Sequence, residues 1–249
     1  MRNNILRGAA AAAALTLAAA MLTAICLGLA AVAAFFAGDR PVSAAAPAAE
    51  VLPVIVIDAG HGGMDSGAVG VDGSLEKELN LAVAEKLAAI CRIAGIDCVM
   101  TRTEDVMLVP DSVTEHRKMH DLRARLDAVR AVTDGGREAM LVSIHMNKFT
   151  DARYSGLQVW HAADDVSRMT AARVQGYART FLDPANTREI KRTTSAIYIL
   201  AHAETPAILV ECGFLSNAAE CQKLETDAYR TQLAMTIFAA LMEQFSESA

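Results

Sequence analysis

Val54-Ile55-Val56-Ile57-Asp58-Ala59-Gly60-His61-Gly62-Gly63 is the stretch that decides the fold of this 249-residue chain. Four β-prone apolar residues run directly into an aspartate, two small residues, a histidine and a glycine pair. An apolar run of that length, bounded by turn residues, reads as a buried strand. The glycines read as a tight turn whose backbone must approach something closely. His61 is thereby delivered on a loop at the end of a buried strand, which is where an open α/β sheet collects its ligands and metals. Two later apolar runs end the same way, Met140–Ile144 in His145 and Pro206–Val210 in Glu211.

Outward from that strand the pattern alternates. Glu76 to Ala94 reads as a helix with Leu79, Val83, Leu87 and Ile90 on one stripe and Gly95 as its stop. Asp97–Thr101 is a second strand. Thr103 to Ser112 is a polar loop, and Thr114 to Val132 a charged helix with Leu122, Leu126 and Val129 inward. A strand over Gly156–Trp160 precedes a helix from Val166 to Leu182. Asp183 to Thr194 reads as a loop, Ile197–Leu200 as a short strand, and Ala218 to Phe245 holds the final helix. Strands alternating with helices predict a single α/β domain over residues 54–246, with a central, mostly parallel sheet flanked by helices. No internal repeat is visible.

The hydrophobic fraction of 53% is inflated by the N-terminus, where Gly8 to Gly38 contains no charged residue. About 20 apolar residues cross a bilayer. Arg2 and Arg7 precede the run, which predicts a cytoplasmic N-terminus with the remainder outside. Residues 1–38 therefore read as a signal anchor, or as a long signal peptide cut near Val42-Ser43-Ala44-Ala45. Residues 39–53 read as an Ala/Pro-rich linker. Either reading puts the domain in an extracytoplasmic setting, membrane-anchored or secreted. Beyond residue 38, 21 of the chain's 23 basic residues face 29 acidic ones. That balance argues against a nucleic-acid partner, which needs a basic face.

Of five cysteines, Cys91, Cys98, Cys212 and Cys221 fall in the exported part. They permit one or two disulfides or buried free thiols, and the domain is large enough to stand without a bridge. Cys212 adjoins Glu211 on a strand, so it faces the other way and reads as packing.

A zinc hydrolase needs three protein ligands from His, Glu or Asp and one open position. The candidates are His61, Glu76 and His145: one loop can bring His61 and Glu76 together, and a parallel sheet puts His61 and His145 on one edge. Such a set lowers the pKa of a bound water from about 15.7 to about 7. Glu211, on the same edge, is the candidate general base and acid. Each residue has an ordinary alternative. Either histidine could be a turn or core residue, Glu76 a helix N-terminal acid, and Glu211 a salt-bridge partner. The joint pattern of three strands aimed at such groups favours the site. His116 and His120 share a helix face but lack the intervening glutamate of a His-Glu-x-x-His motif, and they read as a solvated face. His161 and His202 have no partner pattern. Asp65 fits either a carboxylate behind the site or a turn residue.

The motifs Ile57–Ala68, Glu76-Lys77, Thr101-Arg102, Ser143-Ile144-His145-Met146-Asn147 and Glu211-Cys212-Gly213-Phe214-Leu215-Ser216-Asn217 together resemble the zinc-dependent N-acetylmuramoyl-L-alanine amidases of bacterial cell walls. The resemblance runs from Val54 to about Phe245. It implies one α/β domain, zinc on His61, Glu76 and His145, and Glu211 as the catalytic glutamate. Its substrate would be peptidoglycan, cut between N-acetylmuramic acid and the L-alanine of the stem peptide. Arg117-Lys118 with Asp121-Leu122, Ser195–Leu200 and Glu211-Cys212-Gly213 are similar to the spore-cortex, germination-associated members, which act ahead of muramic-δ-lactam formation. The chain lacks the long inserted helix that occludes some division amidases, which implies an open site or control by an activator protein. Two other classes compete. A zinc carboxypeptidase would want an arginine-bearing pocket for its substrate's carboxylate. A catalytically silent wall-binding protein would have no use for all four chemical residues.

Overall fold

A computed structural model describes residues 51–248. The segment 1–38, expected to be a membrane or signal helix, and most of the 39–53 linker lie outside the described residues. Among the described residues no helix is long and apolar enough to cross a membrane.

The strands are β1 (Val54–Ala59), β2 (Cys98–Met100), β3 (Ala139–Asn147), β4 (Gln158–His161), β5 (Lys191–Arg192) and β6 (Ala207–Phe214). They form one sheet in the order β2-β1-β3-β6-β4-β5. β2, β1, β3 and β6 run parallel. β4 is antiparallel to β6, and β5 pairs parallel with β4, so the sheet is mostly parallel with a reversed edge pair. The helices are α1 (Glu76–Ala94), α2 (Arg117–Asp134), α3 (Asp165–Phe181), α4 (Tyr198–Ala201), α5 (Ala218–Leu224) and α6 (Asp227–Ser248).

The two sheet faces are covered by different residues. Ile55, Ile57, Met140, Val142, Ile144, Ile208 and Val210 pack against Leu79, Val83 and Leu87 of α1, Val174 of α3, and Leu233, Ile237 and Leu241 of α6. Val56, Leu141 and Leu209 face the other way, onto Leu126 and Val129 of α2 and Ile199 and Leu200 of α4. Every residue of β1 is buried, as a central parallel strand requires. Gly95 takes the left-handed conformation that closes α1 (φ 72°). Cys212 lies buried in the first core, and the four cysteines of the described residues are free thiols.

Four expectations need correction. Ile197–Leu200 is not a strand: Tyr198–Ala201 is one helical turn that buries Ile199 and Leu200 against α2 and the sheet face. Four apolar residues in a row fit either state, and the sheet edge is already taken by Lys191-Arg192, which had read as loop. The final helix is two, broken between Leu224 and Asp227, where Arg230 Nη1 reaches back to the Leu224 and Glu225 carbonyls. α2 begins later than expected, at Arg117, because His116 before it sits in the left-handed region (φ 51°).

Candidate metal centre and active-site cleft

β3 and β6 continue past His145 and Glu211, so these two residues lie inside strands rather than just beyond them. They are register partners on adjacent parallel strands, and so share one face of the sheet. That is the α2/α4 face, and they open into a cleft of ≈ 240 Å³ with His61, Asp65, Lys118, Tyr198 and Ile199. A larger apolar hollow of ≈ 510 Å³ lies among Leu52, Pro53, Ala139, Met140 and Pro206 at the strands' starts, and it includes none of the four candidate residues.

His61, Glu76 and His145 converge. Each offers one donor atom, and these atoms all lie within 4.8 Å of one another. Glu76 Oε1 is 2.9 Å from His145 Nδ1 and 3.3 Å from His61 Nε2. Ligands at about 2.1 Å from a tetrahedral ion stand about 3.4 Å apart. The spacing and the N,N,O donor chemistry therefore fit zinc. Glu76 occupies the first turn of α1, and its carboxylate also accepts from the Ala68 N–H (2.7 Å) and the Met146 N–H (3.1 Å). Burial pushes its pKa up, but hydrogen bonds and charge from the two histidines outweigh that and hold it well below the usual range. Burial alone would lower His61; Glu76 and then Asp65 raise it above 6.5.

Asp65 belongs with the site. Its Oδ2 lies 3.0 Å from His61 Nδ1 and 3.3 Å from Lys118 Nζ, while Oδ1 accepts from the Gly67 N–H. The contact is a charge pairing rather than an aligned hydrogen bond, since Nδ1 has no hydrogen-bond partner; a carboxylate beside one ring nitrogen still favours the tautomer that presents the other nitrogen to a metal. The turn itself is tight for a steric reason. A Cβ on Gly60 would lie 2.2 Å from the His145 ring, and one on Gly67 2.5 Å from Glu76 Oε2.

Glu211 is the odd group. Its Oε2 is buried and has no hydrogen-bond partner. Burial pushes its pKa up to about 7, with the His145 charge opposing and the Glu76 charge assisting. An unpartnered carboxylate beside a histidine-carboxylate cluster is equipped to take and give a proton near neutral pH.

Two arginines beside the candidate site have roles that the sequence did not show, although Arg102 stands in one of the quoted motifs. Arg125, 1% exposed, bonds Asp58 Oδ1 (2.7 Å) and Asp121 Oδ2 (2.7 Å) and donates to the Ala59 (2.7 Å) and His61 (2.6 Å) carbonyls. Arg102 donates to the Ala59 (2.8 Å) and Gly60 (3.0 Å) carbonyls. Two arginines thus grip three successive carbonyls of the turn that carries His61, whose φ of 61° is unusual for a side-chain-bearing residue. The available signal was an arginine on the inward stripe of α2, among Leu122, Leu126 and Val129, and an aspartate inside the buried run of β1. His116, His120 and His202 are exposed, and His161 is buried with Nδ1 on the Ala162 carbonyl; none joins the site.

Fold and cleft together define an α/β protein of the enzyme type, with its candidate site towards the C-terminal edge of a mostly parallel sheet. The chain belongs to the N-acetylmuramoyl-L-alanine amidase family, which its sequence matches over residues 55–243. It is 32% identical over 197 residues to the germination-specific N-acetylmuramoyl-L-alanine amidase of Bacillus subtilis (strain 168), covering 78% of this chain and 80% of that protein. The CwlD amidase from Clostridioides difficile, solved in complex with the GerS lipoprotein, is similar at a TM-score of 0.73 and 32% identity, over 78% of this chain and 99% of that one. The amidase AmiC2 of Nostoc punctiforme matches at a TM-score of 0.64 and 28% identity, over 77% and 96% of the two chains. The enzyme's reaction is accordingly that of a peptidoglycan amidase.

Proposed function

We propose that this amidase is a zinc enzyme in which His61, Glu76 and His145 hold the ion and Glu211 is the general base and acid. It cuts the amide joining the lactyl group of N-acetylmuramic acid to the L-alanine of the stem peptide. The observation that carries this reading is the unpartnered, raised-pKa Glu211 in register with His145. When bound, zinc supplies Lewis acidity, which polarises a carbonyl oxygen and lowers the pKa of water from about 15.7 towards about 7. Glu211 accepts the proton of the attacking water and returns it to the leaving alanine nitrogen. Asp65 holds the His61 ring, and Arg102 and Arg125 hold the backbone beneath it, so the donor set is in place before substrate arrives.

The enzyme acts outside the cytoplasmic membrane, on the cortex of a spore. Support comes from the germination-specific relative and from CwlD. The product is a stripped muramic acid, which a second enzyme closes to muramic-δ-lactam. A lipoprotein partner is in keeping with the complex that CwlD forms.

Exhaustive chelation tests the metal. Activity on purified peptidoglycan disappears with the zinc and returns when one equivalent is added back, and His145→Ala retains no zinc. A rate unchanged after complete metal removal contradicts the proposal.

A further inference from the structure

The row of side chains that contains His145 and Glu211 does not stop there. Gln158 of β4 is the register partner of Glu211, so it stands beside Glu211 on the cleft face, one strand further from the histidines. Gln158 is 4% exposed, and both ends of its amide are used. Nε2 donates to the Glu189 carbonyl (2.8 Å), and Oε1 accepts from Arg188 Nη1 (3.2 Å).

Arg188 is held on three sides. Nε donates to the Ser155 carbonyl (2.6 Å). Its guanidinium carbon lies 4.2 Å from the centre of the Phe214 ring and 5.3 Å from that of Tyr154. Phe214 ends β6 opposite Asn147 at the end of β3, so the guanidinium sits at the same sheet edge as the candidate metal centre. Among the described residues Arg188 forms no ion pair. The nearby Glu220 spends its oxygens on the Gly156 and Phe214 N–H groups (2.8 Å each). A second cation lies along the same side. Lys191 Nζ stands 5.0 Å from the centre of the Trp160 ring, and Trp160 is the register partner of Leu209, two residues before Glu211 on the same face. Lys191 also lacks an ion pair among the described residues. In a chain with net charge −6, two unpaired cations beyond one end of the cleft make a local anion-attracting sector.

A substrate whose amide lies between Glu211 and the histidines has two arms. Once its lactyl group is tied up in the amide, the muramic acid arm carries no carboxylate. The peptide arm does: in wall stems the residue after L-alanine is acidic, γ-linked, with a free α-carboxylate. That carboxylate lies up to about 7 Å from the alanine nitrogen, two extended residues at no more than about 3.6 Å each. One strand spacing from Glu211 to Gln158 is about 4.8 Å, and Arg188 is the next group beyond. A planar guanidinium steadied on an aromatic face is suited to a carboxylate.

We infer that Arg188, backed by Lys191, is the specificity-determining residue for the stem peptide and takes the free α-carboxylate of the residue that follows L-alanine. The inference rests on placing the reaction at Glu211 and the His61–Glu76–His145 cluster. It makes β4 and β5 the peptide side of the cleft.

The test uses the zinc-loaded enzyme and two substrates, N-acetylmuramyl-L-alanyl-D-isoglutamate and its isoglutamine counterpart, which lacks the charge. Wild type prefers the free acid in kcat/KM by about 10- to 100-fold, the range of one charge-assisted contact. Arg188→Gln loses that preference by slowing only on the acid, and Arg188→Lys recovers part of it. Calorimetry with the free dipeptide L-alanyl-γ-D-glutamate shows the same loss on Arg188→Gln without any turnover. A wild type indifferent to the charge, or an Arg188→Gln that slows both substrates equally or neither, overturns the inference. An arginine for a carboxylate would also serve a carboxypeptidase, so the products are weighed: release of intact dipeptide marks the muramyl amide. If that bond is not cut, the placement of the reaction fails, and the dipeptide titration alone decides whether Arg188 binds a carboxylate.

Discussion

Glu211 and His145 differ in what surrounds them. His145 meets the Glu76 carboxylate at 2.9 Å, whereas Glu211 Oε2 meets nothing. A buried carboxylate without a partner costs stability, and here burial raises the carboxyl to about 7, where it can both take and give a proton. Removing the charge while keeping the shape separates the two roles. Glu211→Gln lowers kcat by about 10²- to 10⁴-fold, the usual worth of a general base, and keeps one zinc per chain by metal analysis. The sign of the pH dependence follows from the same residue. The base form is the carboxylate, so the rate rises with pH. A bound cation favours that form, which sets the acid limb of kcat/KM at or below about 7. An acid limb well above 7 in the zinc-loaded enzyme is the result that counts against Glu211 as base.

Between residues and the whole domain, the turn after β1 does the positioning. Gly60→Ala would put a Cβ 2.2 Å from His145 Nε2, so the ring must move. Zinc affinity then falls by about tenfold or more, the scale seen when a ligand loses its proper orientation. Competition with a calibrated chelator measures the loss, and circular dichroism reports that the fold is kept. Much of this element was legible in the sequence. A buried apolar run aimed at His-Gly-Gly gives a strand and a turn, and the same logic places His145 and Glu211 on neighbouring strands beside it. What hid was set by tertiary contacts. Ile197–Leu200 has no period to distinguish strand from helix, and only its packing against α2 decides. Lys191-Arg192 has no apolar signature at all, because an exposed two-residue edge strand needs only backbone pairing. Arg125 looked like one more charge on a charged helix; its partner Asp58 is 67 residues away. Asp65 stayed ambiguous until the chain brought its carboxylate to His61.

At the scale of the domain, the Asp58–Arg125–Asp121 network ties β1 to α2 beneath the cleft. Burial raises the Asp58 pKa, and Arg125 and Ser143 more than reverse this, leaving it below 3.8. A lowered folded pKa means stability that is present above about pH 3.8 and lost as pH falls through the folded value. Arg125→Met strands a buried carboxylate and costs about 3–5 kcal/mol at neutral pH. Urea unfolding at pH 7 and pH 3 shows that difference shrinking in acid, where the unpaired Asp58 of the variant takes up a proton and no longer buries a stranded charge; a gap that does not change with pH contradicts the role of the charge. In the proposed function the network, the turn and the two central strands serve one event, hydrolysis of a single amide by Glu211 beside the histidine cluster. Mass spectrometry of defined muropeptides, digested by zinc-loaded wild type and Glu211→Gln, tests that most directly. Wild type releases an intact stem peptide beginning with L-alanine and leaves a free lactyl carboxylate on the muramic acid, and Glu211→Gln, equally loaded with zinc, releases almost none. Cleavage at any other bond, or equal release by the two proteins, contradicts the account.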